Sequence, residues 1–370
     1  MLESSEESEE ITISCYENDI PDFVPSEIDR LYENLFSSIV QFKIYGDLHQ
    51  VSTYVVKKNG RVTTLLLFVL ERARASVLNE VICISEEEVN RFSNFIFSRF
   101  PQTTAISFKA IETDTRALAF PFLRVNILED IVLQLPASID EYTAQLGKST
   151  RKTIKAYTNK LKRSFPTFEY KVYANNEASE QHVRDVIALN QARMRGKNRI
   201  SSFDEAATKK IILLVKEYGL VSIATIDGKI CAGSISYRVG NNYFMSVNAH
   251  DPAYDDYRLG TLSGFFIIST CIERGGNECH MLWGQSEYKY RFLGVRRDLD
   301  RLAVYRSYFH VLHHVEMTVK TLFEAVTRKA KSWLLDEKNK NSLTWKFIGV
   351  PIKVCRNMSR LLYHPYAKSP

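Results

Sequence analysis

Residues Tyr257–Thr261, where the run DPAYDDYRLG enters TLSGFFIISTCIERG, have the make-up of an anion cradle. The first N–H groups of a helix lack an intrahelical acceptor, so a loop leading into a helix can bind the diphosphate of a thioester donor. Gly260 lets the backbone approach an anion closely, and Arg258 adds charge. Taken alone, such a glycine more often only makes a turn; its weight comes from the elements around it. Two basic stretches are candidate binders of an anionic acceptor. One is the helix Lys148–Arg163 with Arg151, and the other is the loop Arg193–Arg199 with Arg195 and Lys197. A solvated face is the simpler account of the helix. His310 and His314 stand one helical turn apart, a spacing that chelates zinc, but no third ligand is apparent and no metal is expected. Six cysteines without a CxxC pair indicate neither a zinc ribbon nor a disulfide framework, and none is a convincing nucleophile.

The elements that must hold these residues read clearly in places. Asn59-Gly60 between two apolar runs marks a hairpin. VLNEVICI reads as a strand ending at Ser85, and Ser85 with Glu88 has the spacing of a capping box for a helix up to Pro101. Thr104–Ile111 and Val125–Leu135 read as strands. Ser138 with Glu141 starts a long basic helix that ends near Pro166, followed by the strand FEYKVYA. Helices are expected over Glu180–Arg195 and Phe203–Tyr218. Three strands then alternate through LVSIATI, KICAGSISYRV and NYFMSVNAH, with turns at Asp227-Gly228 and Gly240-Asn241. The loop before Gly260, a helix to Gly275, the strand CHMLW, a helix around SEYKYRFLG and a strand DLDRLAVYRSY complete the pattern.

From about Leu146 to Arg306 this order resembles the GNAT superfamily, and within it the CelD-like or BcsL-like acetyltransferases associated with polysaccharide loci. The matching segments are GKSTRKTIKAYTNKLKR, ARMRGKNRISSF, DGKICAGSISYRVGNNYF, HDPAYDDYRLGTLSGFFI and GQSEYKYRFLG. The resemblance implies an acyltransferase that uses acetyl-CoA (acyl-CoA) as donor, and an α+β fold. Tandem GNAT-like domains with mixed, mainly antiparallel sheets flanked by helices are expected. Gly260 matches the glycine of the diphosphate loop, with Arg258, Leu259 and Thr261 beside it; the fuller superfamily loop, with two spaced glycines, is reduced here. The resemblance also implies that NYFMSVNAH splays from its neighbour and presents Met245, Ser246, Val247 and Asn248 to the pantetheine arm.

Transfer to an amine or hydroxyl needs an acid for the leaving thiolate and a path for the nucleophile's proton. In the superfamily a tyrosine within Tyr-x-x-x-Gly-aromatic often serves as the acid. Tyr290 and Gly294 have that spacing, with Val295 in place of the aromatic, whereas the Tyr-Lys pair of the narrower family matches Tyr288 and Lys289. Both tyrosines stay open, and Lys289 joins the acceptor-side candidates. His250 and Glu287 are candidate bases, His250 because imidazole titrates near neutrality. Ordered water is the alternative to either.

With 370 residues, 45% of them hydrophobic, the chain can fill two ordinary domains. The expected division is an acidic, partly disordered tail over 1–30, a degenerate GNAT-like domain over 31–136 and a GNAT acetyltransferase domain over 137–310. A helical basic extension over 311–370 follows, with peripheral membrane contact and packing across the domains as its two accounts. The arrangement also resembles the Fem ligases of peptidoglycan bridges, which makes an aminoacyl-tRNA donor the rival reading. A catalytically inactive scaffold of a polysaccharide-synthesis complex is the rival from another class. MLESSEESEE has neither the basic end nor the apolar run of a signal peptide, and no apolar stretch is long enough to span a bilayer, so a cytoplasmic protein is expected. The middle of the chain has no basic face for nucleic acid. The acceptor is expected to be a sugar or glycan.

Overall fold

The computed structural model describes residues 10–328, apart from 317, 320, 324 and 325. In chain order its strands and helices are β1 (Ile11–Tyr16), α1 (Val24–Tyr32), α2 (Ile39–Tyr45), β2 (Val51–Lys58), β3 (Arg61–Glu71), β4 (Arg74–Val77), β5 (Ile82–Cys83), α3 (Glu86–Arg99), β6 (Ala105–Glu112) and β7 (Phe122–Gln134). There follow α4 (Ile139–Gln145), α5 (Lys148–Ser164), β8 (Glu169–Ala174), α6 (Glu180–Gly196), α7 (Glu205–Tyr218), β9 (Gly219–Ile226), β10 (Lys229–Val239) and β11 (Asn242–His250). The last are α8 (Leu259–Glu273), β12 (Glu278–His280), α9 (Glu287–Arg291), β13 (Val295–Tyr305) and α10 (Tyr308–His313). The fold is the expected mixture of helices and mainly antiparallel sheet.

The described residues divide into two compact units that interleave in sequence: 10–24, 48–128 and those from 298 onward form one, and 25–47 with 129–297 form the other. The contiguous division expected from sequence therefore differs from the observed one. Within the tail expected over 1–30, residues 11–16 are strand and residues from 24 onward are helix. Residues 329–370, most of the expected C-terminal extension, lie outside the described residues.

In the first unit the strand order is β1-β2-β3-β4-β6-β13, antiparallel except between β4 and β6. The β2–β3 hairpin turns at Asn59 and Gly60, whose φ of 49° and 77° only an Asn-Gly type of pair adopts cheaply. Helix α3 begins at the expected Ser85 cap and lays Phe92 against Tyr54, Phe68 and Phe108. The strand expected over VLNEVICI is interrupted. Buried Asn79 instead turns its side chain onto Leu67 N and Leu65 O, capturing backbone groups that a continuous strand would pair.

In the second unit the order is β7-β12-β11-β10-β9-β8, antiparallel except between β12 and β11. Helices α6 and α8 cover opposite faces of β10. A Cβ on Gly233 would meet Val186 of α6, while its neighbour Ala232 packs in the cluster with Leu262 and Ile267 of α8. The long basic helix expected after Ser138 is two helices. Gly147, with an extended ψ of 142°, separates α4 from α5.

Candidate functional site

Strand β11 is paired along its whole length with β10, but on its other side β12 pairs only with Asn242–Phe244. Beyond His280 the chain parts from β11, keeping bonds to Ile131 of β7 through Met281 and Leu282, and turns at Leu282 and Gly284, both in left-handed conformation (φ 55° and 89°). Met245–His250 consequently have no strand on that side among the described residues. The ladder with β10 also steps from Ile235↔Val247 to Ser236↔Met245, leaving Ser246 as a bulge that bends the strand where the two neighbours part. From Met245 to His250 the strand runs about 17 Å at ordinary strand rise.

At the far end of this open edge lies the start of α8. Arg258 is left-handed (φ 54°, ψ 32°), and its carbonyl accepts from both Thr261 N and Leu262 N. No side chain caps the helix, and the N–H groups of Leu259 and Gly260 have no acceptor among the described residues. This is the arrangement that attracts an anion, through two free donors and the positive end of the helix dipole. The His250 ring closes over the same turn. A Cβ at Gly260 would lie 2.5 Å from His250 Cε1 and 2.7 Å from Nδ1. His250 Nε2 is held 2.7 Å from Asp255 Oδ1.

Helix α5 reaches this loop through its C-terminal half. Lys160 Nζ donates to Asp256 O (3.2 Å) and stands 4.7 Å from the Tyr257 ring, while the Arg258 guanidinium stands 5.9 Å from the Tyr157 ring. Arg151 lies nine residues earlier, about 13 Å along the helix. The basic helix, expected on the acceptor side, thus meets the loop before α8, and it does so through Lys160.

Helix α9 is joined to the open edge by close packing at Gly264. A Cβ there would sit 3.0 Å from the Phe292 ring and 3.5 Å from Asn248 Nδ2. Ser263 Oγ donates to Asn248 Oδ1, and the Tyr288 ring packs edge-on against Phe292. Partial burial raises the Tyr288 pKa above its ordinary value, with the nearby Arg193 charge opposing. Tyr288 and Tyr290 are exposed to similar extents, 46% and 41%, and Glu287 is exposed and paired with Arg291. Lys289 was expected to reach the acceptor, but it is only 4% exposed. Its ammonium donates to the carbonyls of Leu282 (2.9 Å) and Trp283 (2.6 Å), the segment that turns the chain away from β11. Burial lowers its pKa to about 8, with Asp130 and Glu129 pulling the other way.

The loop after α6 folds back on the helix end: Lys197 N and Arg199 N both donate to Met194 O, and Asn198 is left-handed (φ 51°). This gathers Arg193, Lys197 and Arg199. The Arg193 charge, then burial and Arg199, lower the Lys197 pKa, and Asp255 partly compensates. None of these cations, nor Arg195, has a carboxylate within salt-bridge distance among the described residues, whereas Arg184 on the same helix is bonded to Glu180 and Glu205.

A buried charge network at the end of β12 was not anticipated from sequence. His280 Nδ1 lies 2.6 Å from Asp130 Oδ2, its Nε2 lies 3.2 Å from Glu278, and its ring stacks on Phe244 at 4.4 Å. Arg297 grips Glu278 with two hydrogen bonds of 2.9 and 2.6 Å. Burial pulls the His280 pKa down, but Asp130 and Glu278 outweigh it and raise it to about 9. Burial likewise opposes Glu278, yet His280, Arg297 and Gln134 hold it well below the usual carboxylate range. The available sign was Glu278 and His280 two apart on a short strand, and hence on one face.

Residues 148–290 match the family model of an acetyltransferase (GNAT) domain. The chain carries a GNAT-type acetyltransferase domain. The function class that goes with it is acyl transfer. Among solved structures, FemX aligns with 77% of this chain and 96% of its own at 11% identity, with a TM-score of 0.54. L-PGS from Bacillus licheniformis aligns with 83% of this chain and 97% of its own at 14% identity and a TM-score of 0.49. A tandem GNAT protein from the clavulanic acid biosynthesis pathway aligns with 80% and 98% at 9% identity and 0.40. A comparison with curated protein sequences found no match. The described residues contain no group of three His, Cys, Asp or Glu able to hold a metal ion. His310 and His314 face Ser307 and Thr104 instead of each other. No described helix is long and apolar enough to cross a membrane.

Proposed function

We propose that this chain transfers an acyl group, acetyl in the simplest case, from acyl-CoA to an amine or hydroxyl of an anionic acceptor. The observation that carries the reading is the unpaired edge of Met245–Asn248 leading to the free N–H groups of Leu259 and Gly260. A diphosphate on those donors places an extended pantetheine along the open edge, and the thioester near the parting of β11 and β12. The acceptor's nucleophile then attacks the thioester carbonyl directly. The C–S bond breaks as the tetrahedral intermediate collapses, Tyr288 protonates the leaving sulfur, and the nucleophile's proton passes to water. Burial raises the thiol of Cys231 to about 11 and that of Cys271 well above its ordinary value, which favours direct transfer over an acyl-cysteine intermediate. In this scheme His250 sits at the diphosphate end and shapes the loop, and it is not the base. The resemblance of the sequence to CelD-like or BcsL-like enzymes favours a sugar or glycan of polysaccharide synthesis as the acceptor.

The test is incubation of the full-length chain with acetyl-CoA and candidate acceptors, with free CoA and acetylated product read by mass spectrometry. Acceptor-dependent CoA release supports the reading, and absence of any acyl-CoA binding by calorimetry overturns it in favour of a scaffold. The FemX likeness in fold supports a second reading, an aminoacyl-tRNA donor. Transfer from charged tRNA with no CoA release would establish that one instead.

A further inference from the structure

Helix α10 and the helical residues of 315–328 place their stripes in an unexpected sense. Toward the body of their unit they turn Val311, packed with Ala105 and Tyr305, and His314, 2.9 Å from Thr104 Oγ1. Thr318, 2.8 Å from the Tyr305 hydroxyl, and fully buried Thr321 continue that mostly polar stripe. The apolar stripe faces outward: Tyr308, Leu312, Val315, Val319, Leu322 and Val326, at alternating steps of four and three, are between 45% and 82% exposed. Exposed Phe309 and Phe323 widen it. A helix that inserts polar groups into the body and leaves such a stripe bare is built to be covered by something else.

We propose that this stripe docks the chain on an anionic lipid surface. The charge of the adjoining sequence selects this occupant. Residues 328–370 carry ten Lys and Arg against two acidic residues, interspersed with Trp333, Trp345, Phe347 and Ile348. Apolar and aromatic side chains beside a dense basic segment match an acyl-chain boundary beneath anionic headgroups, to which each surface-near cation adds attraction. A second copy seated on the stripe would leave the positive charge of the basic segment without a partner of opposite sign. A nucleic acid would use the basic segment but not the apolar stripe. The proposal is independent of the catalytic reading.

The experiment is sedimentation of the full-length chain with vesicles of phosphatidylcholine alone and with phosphatidylglycerol added, at low and high salt. Wild type is expected to sediment with the anionic vesicles, and less so at high salt. Leu312→Glu with Val319→Glu should weaken binding at least about tenfold, because two charges enter the boundary region. Its melting temperature should stay unchanged, because both positions are exposed. The milder pair Leu312→Ser and Val319→Ser serves if the first variant fails to fold. No sedimentation with either vesicle overturns the proposal, as does binding insensitive to both variants. So does light scattering that shows a dimer split by the variants without vesicle binding, and so does destabilisation by the folded variants, which would mean that residues 329–370 cover the stripe. Capture of duplex oligonucleotide in place of vesicles overturns it in favour of nucleic acid.

Discussion

The imidazole of His250 occupies the space that any side chain at Gly260 would need, since a Cβ there would lie 2.5 Å from its Cε1. The glycine therefore serves two ends, an uncapped helix start and a seat for the ring that Asp255 holds in place. Gly260→Ala should weaken acetyl-CoA binding about tenfold or more by driving His250 into the loop. His250→Ala with Gly260→Ala should recover most of that loss. Calorimetry on the two variants decides, and equal loss in both would mean that the glycine's only service is to the ligand.

Tyr288 and Tyr290 separate by position. Both are exposed, 46% and 41%, but only Tyr288 packs its ring on Phe292 and has the Arg193 charge nearby. Tyr288→Phe should lower kcat by about 10²-fold or more with little change in donor affinity, the range for loss of a general acid. Tyr290→Phe should leave kcat within about twofold of wild type. Steady-state kinetics on both, once an acceptor is known, give the comparison.

The unpaired cations of the α6–α7 loop should report on the acceptor. Lys197→Ala is expected to raise the acceptor KM several-fold while leaving donor binding unchanged, and added salt should raise the wild-type KM in the same direction. Arg151→Ala should do neither, because its helix meets the loop before α8 through Lys160. A neutral acceptor with salt-independent KM would remove the anionic component of the proposed function.

How much of this was legible in the sequence follows from the range of the forces involved. The turns at Asn59-Gly60 and Asp227-Gly228, the Ser85 cap and the helix after Gly260 are local, and the residues that require them announce them. The break in the strand at Asn79 was hidden, because the backbone groups that its side chain captures belong to another strand. Lys289 reads as a surface lysine until Leu282 and Trp283 are seen to aim carbonyls at it. The interleaving of the two units was hidden for the same reason. The candidate site shows in the sequence as a loop and a glycine, but the ring that fills the glycine's space comes from the preceding strand and leaves no mark on spacing.

Lys289 fastens the turn by which β12 departs from β11. Replacing it with methionine keeps the volume but leaves two carbonyls without their donor, at a cost of about 1–3 kcal/mol. Lys289→Met should therefore weaken donor binding although the residue touches no proposed donor position. It should also remove part of the pH dependence of stability. In wild type the buried ammonium is penalised below its pKa of about 8, and that penalty is relieved as pH rises from there toward the ordinary lysine value of 10.5. The rise should be absent from denaturant melts of the variant.

His280 makes the opposite contribution, which allows the two to be told apart. Its pKa is raised from 6.5 to about 9, so the ion pairs to Asp130 and Glu278 add their full stability below about pH 6.5 and lose it as pH climbs toward 9. Between pH 6.5 and 8 the relief at Lys289 has barely begun, so the imidazole dominates the difference between wild type and His280→Gln. That difference should shrink steadily across this window. At pH 6.5 the variant leaves Asp130, 1% exposed, without its cation, and the cost should be about 3 kcal/mol, the range for breaking a buried pair from one side. Urea melts at half-unit pH steps measure it, and a difference independent of pH would mean that the imidazole is neutral and the network is held by Arg297 alone.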